Sequence, residues 1–163
     1  MKKNGRLYQL VLLMLVLLLT ATGSDCPAAG GKGKISWNDS GIHWYDYEEG
    51  LAKAKRENKP AILILYSHSC STCRNYSRRV LHQPSIADAA AAFVMIRVNT
   101  AERRKLANAY RFDGGYVPKT FALYPDGRIM QQLHPPKKYR YFIGLNPQNL
   151  LGLMRNAQAQ MQR

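Results

Sequence analysis

The stretch Ala61 to Cys73 reads AILILYSHSCSTC. Its first six residues, Ala61 to Tyr66, form an unbroken apolar run of strand length. Successive side chains of a strand point to opposite faces, so such a run predicts a strand buried on both. Ser67-His68-Ser69 ends the run, and Cys70-Ser71-Thr72-Cys73 opens a helix predicted to reach about Leu81. Cysteines at i and i+3 on one helical turn can bring their sulfurs within bonding distance. A helix start also offers unpaired backbone N–H groups and partial positive charge, which favour thiolate over thiol. Cys70, at the very end, is expected to be exposed and to attack. Cys73, one turn in, is expected to be more buried and to resolve the mixed disulfide that results. His68 is read as a solvent-facing loop residue that favours the Cys70 thiolate when protonated, and Ser71 and Thr72 as further residues that modulate it.

Working outward, Ile42 to Trp44 predicts a short first strand and Tyr47 to Asn58 a helix. In that helix Glu48 and Glu49 lie in the first turn and Lys53, Lys55 and Arg56 nearer the end, complementing the helix dipole. Beyond the cysteines, Pro84 to Ala92 and Ala101 to Tyr110 read as helices and Phe93 to Val98 as a second apolar strand. Pro118 to Tyr124 and Ile129 to Leu133 read as two strands joined by the turn sequence Pro125-Asp126-Gly127-Arg128. Pro147 to Gln162 is a final helix with an apolar stripe of Leu150, Leu151, Leu153, Met154 and Ala157. Strands alternating with helices predict an α/β domain, with a largely parallel central sheet covered on both faces and an antiparallel hairpin closing one edge.

The first residues read as an address. Lys2, Lys3 and Arg6 precede the apolar run Leu7 to Leu19, and small residues follow, with the best cleavage site after Ala21-Thr22-Gly23. A positive end, a short apolar core and a small-residue site make a secretory signal peptide over residues 1–23. The core is short of the roughly 20 apolar residues of a membrane-spanning helix. Residues 24–41 then form a flexible lead, Gly- and Ala-rich at its start, and residues 42–163 the folded domain. Cys26 leaves a second location open, since a cysteine behind an apolar core can be lipidated. Asp25 and Gly23 stand where a lipidation site would carry a small residue and Leu. Periplasmic or secreted location is the expectation, with anchoring at Cys26 as the alternative.

The chain carries 24 Lys and Arg against 10 Asp and Glu, a formal net charge of +14. The cations are spread along the sequence, and no zinc-finger or RNA-recognition motif accompanies them, so a basic solvated surface is expected rather than a nucleic-acid interface. Such a surface would draw acidic proteins or anionic lipid toward it. His68, Cys70, Cys73 and His82 are the residue types of a zinc or copper site. His82 falls about three turns beyond Cys70, too far to share an ion along an unbroken helix. His43, His82 and His134 have no evident partners in the sequence. No metal and no cofactor are expected.

Several segments together carry a closer likeness. Ile42-His43-Trp44, Tyr47-Glu48-Glu49-Gly50-Leu51, Lys59-Pro60, Cys70-x-x-Cys73, Asp113-Gly114-Gly115-Tyr116-Val117-Pro118 and Tyr139-Arg140-Tyr141-Phe142 resemble the small thioredoxin-domain oxidoreductases of the endoplasmic reticulum and their anterior-gradient relatives. The strand-CxxC-helix part also resembles bacterial thioredoxin-like periplasmic domains. The resemblance implies a thioredoxin fold, a central mixed sheet flanked by helices on both faces, and thiol–disulfide chemistry at Cys70 and Cys73. It further implies a cis bond at Val117–Pro118, with Tyr116, Val117 and Pro118 holding an extended client peptide. Read without the resemblance, Pro118 is equally an ordinary trans proline at a strand start.

The sequence departs from the family pattern at Ser69, at Ser71-Thr72 and at Ile64, where an aromatic residue, a Gly-containing dipeptide and a buried Asp are usual. These leave the redox potential and the route of the Cys73 proton open. The ending Gln160-Met161-Gln162-Arg163 is not a KDEL-like signal, so a bacterial envelope or secreted location is expected rather than residence in the endoplasmic reticulum. The implied partners are exported client proteins with thiols or disulfides and a redox partner that resets the pair, with the protein a monomer. A client-binding module with little turnover is the alternative.

Overall fold

The computed structural model describes residues 34–134 and 136–162. The expected signal peptide, Cys26 and most of the expected lead lie outside the described residues. The elements are β1 (Trp44–Tyr45), α1 (Tyr47–Glu57), β2 (Ala61–Tyr66), α2 (Ser71–Tyr76) continued by a π-turn (Ser77–Leu81), α3 (Pro84–Ala90), β3 (Val94–Asn99), α4 (Arg104–Ala109), β4 (Lys119–Leu123), a 3₁₀ turn (Gln131–Leu133) and α5 (Pro147–Met161). The sheet order is β1-β3-β2-β4. β1 and β2 run parallel to β3, and β4 runs antiparallel to β2.

β2 is central and all six of its residues are buried, as its apolar run requires. The strand period of two then divides the core. Ile62, Ile64 and Tyr66 face one cluster with Cys73, Tyr76, Val80, Leu150 and Met154, under α2, α3 and α5. Ala61, Leu63 and Leu65 face the other with Val98, Tyr110 and Phe121, beneath α1 and α4. Both faces are covered, and the architecture is the mixed α/β sheet expected. α1 approaches β3 closely: a Cβ at Gly50 would lie 2.5 Å from Ile96 Cγ1. The helix stops at Asn58, left-handed at φ 48°, whose N–H caps the carbonyls of Ala54 and Lys55.

Two expectations are corrected. Ile129 to Leu133 is not a strand: only an isolated bridge, Leu123 to Ile129, extends the pairing before the 3₁₀ turn. Buried His134 turns its ring inward and accepts the Ala122 N–H at Nε2 (3.3 Å), so β4 meets a side chain where a further strand was expected. The folded body also reaches further back than Ile42. Ile35 is buried and Trp37 is 1% exposed. Trp37 packs edge-on against Trp44 and tilted against Tyr66, with centroids 5.8 and 4.4 Å apart. Residues 35–38 are fastened to the cysteine-bearing helix. Asn38 Nδ2 donates to the Leu81 carbonyl (2.8 Å), and the Ser77 hydroxyl to the Ser36 carbonyl. His82 lies 3.3 Å from Ser36 Oγ and 3.0 Å from the Ser77 carbonyl. Both His82 and His134 therefore have partners.

Candidate functional site

Cys70 sits at the N-cap of α2 with extended backbone, and its sulfur accepts the Cys73 N–H at 3.0 Å. A thiolate there gains a hydrogen bond that a side chain farther along the helix could not have. The same sulfur is 3.5 Å from the Val117 carbonyl, to which the thiol can donate. Cys70 is half-buried, whereas Cys73 is 0% exposed. Burial, reinforced by the hydrogen bond with Cys70, holds the Cys73 thiol well above the ordinary cysteine range. The pair is unsymmetrical: Cys70, expected to be exposed, keeps partial access to solvent and is served by a backbone N–H, while Cys73 is enclosed. Ile64 is fully buried in the same apolar cluster as Cys73.

His68 is not the solvent-facing residue expected. It is half-buried, its Nδ1 accepts the Ile35 N–H (3.1 Å), and its ring meets Tyr66 edge-on at 5.1 Å. The imidazole thus joins the N-terminal segment to β2. The His68 carbonyl takes a guanidinium N–H of Arg74 at 2.9 Å, bracing the loop just before Cys70. Ser71 is exposed at the start of α2, as is Ser69, whose hydroxyl pairs with that of Ser67 (2.9 Å). Among the described residues no three His, Cys, Asp or Glu side chains group as metal ligands.

The facing wall is the segment 113–119. Val117–Pro118 is cis, and Pro118 leads into β4. The hydroxyl of Tyr116, one of the residues expected to line the client side, donates to Asp113 and accepts the Tyr141 N–H (2.9 Å), so it ties the loop to the chain beside it. Beneath lies Lys119, 2% exposed. Its ammonium donates to Asp113 and to the Tyr110 carbonyl (2.7 Å), and stands 4.6 Å from the centroid of the Tyr116 ring. A buried Lys is tolerated only when paired and hydrogen-bonded, and here both conditions hold. Sequence reading missed this network. The signal available was the run Asp113 to Lys119, with Asp and Lys six residues apart around two glycines, but only the turn through Gly114 (φ 118°) brings them together.

A helix-start cysteine pair facing the residue before a proline, on a mixed sheet with helices on both sides, defines the thioredoxin class. The chain belongs to the thioredoxin-like family, whose model matches residues 43–125. Within it, the chain is related to the anterior gradient proteins. Anterior gradient protein 2 of Xenopus tropicalis is 33% identical over 137 residues, covering 79% of this chain and 80% of that protein. Anterior gradient protein 2-B of Xenopus laevis is 31% identical over the same length and the same shares. Among solved structures, a thioredoxin from Thermus thermophilus superposes with TM-score 0.58 at 23% identity, covering 74% of this chain and 90% of that one. A DsbH oxidoreductase superposes with TM-score 0.55 at 15% identity, covering 72% and 85%. Both structural likenesses speak to the fold.

Proposed function

We propose that the protein is a thiol–disulfide oxidoreductase that acts on exported proteins through Cys70 and Cys73. The observation that carries this reading is the asymmetry of the pair. The accessible sulfur of Cys70 accepts a backbone N–H at the helix start, and the enclosed Cys73 thiol lies one turn behind it. In the reducing direction, the Cys70 thiolate attacks one sulfur of a client disulfide. A Cys70–client disulfide forms, the client bond breaks, and one client thiolate leaves. Cys73 then gives its proton to that first client thiolate and attacks the Cys70 sulfur. The Cys70–client bond breaks, and the second client sulfur leaves as a thiolate that takes its proton from water. The Cys70–Cys73 disulfide closes, the client holds two thiols, and two electrons have passed to it. The reverse sequence oxidises a client dithiol. A partner dithiol or disulfide returns the pair to its starting state.

The basic n-region and short apolar core support a periplasmic or extracellular setting for this chemistry, where disulfides persist. The wall at Tyr116, Val117 and Pro118 would hold the client in extended form beside Cys70. The test is an equilibrium titration of the purified protein in glutathione buffers, followed by turnover of a disulfide peptide with dithiothreitol as reductant. Two-electron oxidation of Cys70 with Cys73, together with catalytic turnover, is the expected result. A pair that never oxidises, or that oxidises without accelerating exchange, would leave the client-binding module instead. Intact mass of the protein from its native host tests export: loss of residues 1–23 is expected, and a diacylated Cys26 would put the protein at a membrane surface.

A further inference from the structure

A cavity of about 390 Å³ opens on the Val117 side of the site. Leu65, Tyr110 and Val117 supply its apolar lining and Arg104, Arg111 and Lys119 its charged one. Among the described residues no Asp or Glu lines it. The two arginines differ from the lysine. Lys119 is neutralised by Asp113, whereas among the described residues neither Arg104 nor Arg111 has a carboxylate within ion-pair distance. The acidic residues nearest them along the chain are already engaged. Glu102 accepts from the Asn99 amide (2.7 Å), and Asp113 holds Lys119 and Tyr116. The Arg111 guanidinium lies against the bare backbone of Gly115, where a Cβ would stand 2.8 Å from its Nη2.

The cavity is joined to the thiol through one residue. Val117 lines it, and the Val117 carbonyl is 3.5 Å from the Cys70 sulfur. An extended peptide advances about 3.3 Å per residue. A client whose cysteine meets Cys70 therefore brings a side chain one to three positions away to the cavity mouth. Two guanidiniums without a carboxylate partner among the described residues, beside the apolar Leu65 and Val117, suit a carboxylate on a short aliphatic stem, which can be gripped in bidentate fashion.

We propose that this cavity is a subsite for a Glu or Asp of the client close to its reactive cysteine, so that the protein selects acidic client segments. The proposal rests on the oxidoreductase reading and names its substrate class. The experiment compares disulfide peptides that differ only in Glu, Gln or Lys at positions one to three residues to either side of the cysteine. kcat/KM is measured for each with the mature protein at low and high salt. The expected result is a preference of about tenfold for Glu over Lys at the best position, expressed mainly in KM and shrinking with added salt.

Exchanging both arginines, Arg104→Gln with Arg111→Gln, should bring that ratio close to one. Arg104→Lys with Arg111→Lys should restore part of it. Arg56→Gln with Arg155→Gln removes the same charge from exposed positions outside the cavity lining and should leave the preference in place. A ratio that falls as much in this remote variant as in the cavity variant would overturn the subsite in favour of whole-molecule steering. So would a wild type indifferent to Glu, Gln and Lys that still turns all three over, and in that case the oxidoreductase reading stands. Failure to turn over any peptide would instead remove the reading on which the subsite rests.

Discussion

The two walls of the site are held by different physics. The cysteine wall is local: a strand end, a three-residue loop and the first turn of α2 place Cys70 within 3.0 Å of the Cys73 N–H, and four consecutive residues contain the whole arrangement. The facing wall is assembled at a distance. Lys119 reaches back nine residues to the Tyr110 carbonyl and six to Asp113, and Tyr116 reaches forward twenty-five to the Tyr141 N–H. A reactive sulfur needs exposure and a few dipoles, which a helix terminus supplies by itself. A rigid surface for an incoming chain needs its loop immobilised, and a loop with two glycines has little packing of its own, so buried polar groups brace it.

The sharpest break is at the cysteine wall. Cys70→Ser should abolish turnover and trap no client. Cys73→Ser should also stop turnover but accumulate mixed disulfides at Cys70, detectable as reducible adducts by mass spectrometry. Equal and low trapping by both variants would erase the distinction between the sulfurs.

Breaking the opposite wall should cost stability before it costs chemistry. Lys119→Met strands Asp113 in a site that is mostly closed to water, and a loss of about 3–5 kcal/mol in urea unfolding is expected. A change under about 1 kcal/mol would mean that the ion pair barely offsets its own desolvation.

His134 sharpens the comparison through pH. Burial, with Arg140 and Lys137 nearby, depresses its pKa to about 4. The unfolded chain, with an ordinary histidine near 6.5, binds more protons between these values. The stabilising contribution is therefore complete above about pH 6.5 and is lost as pH falls toward 4, by on the order of 3 kcal/mol in total. His134→Gln keeps an acceptor for the Ala122 N–H and should flatten the acid limb of the stability profile. An unchanged limb would show that other groups set it.

The smallest effect is expected at Tyr116. Tyr116→Phe removes a donor to Asp113 and leaves the Tyr141 N–H without its acceptor. A loss of about 1–3 kcal/mol is expected. Client KM should rise with it if the loop loses its position, and stay put if the hydroxyl serves stability alone.

The same contrast explains what could be read from the sequence. β2, α2 and the unequal placement of Cys70 and Cys73 at the helix start follow from patterns within a dozen residues, where strand period and helix geometry leave few choices. α1, α3 and α5 also kept their places to within a few residues, because caps and prolines mark their ends. The failures all involve partners far along the chain. Ile129 to Leu133 has the composition of a strand, but His134, twelve residues from Ala122, takes the β4 backbone N–H that a neighbour would need. Trp37 sits in a polar, Gly-containing stretch that reads as lead, and only the surfaces of Trp44 and Tyr66 make it core. His68 looks exposed beside three serines until Ile35 is seen to bind it. Cations such as Arg104 and Arg111 are visible as charge, but their convergence on one cavity is not.

The unequal standing of the two thiols is measured directly by their reactivity. The reduced protein is treated with limiting iodoacetamide across a range of pH, and the modified cysteines are mapped by peptide mass spectrometry. Cys70 should be alkylated first throughout, with Cys73 protected until the fold is opened by denaturant. Modification of Cys73 at a rate equal to or above that of Cys70 in the folded protein would contradict the account.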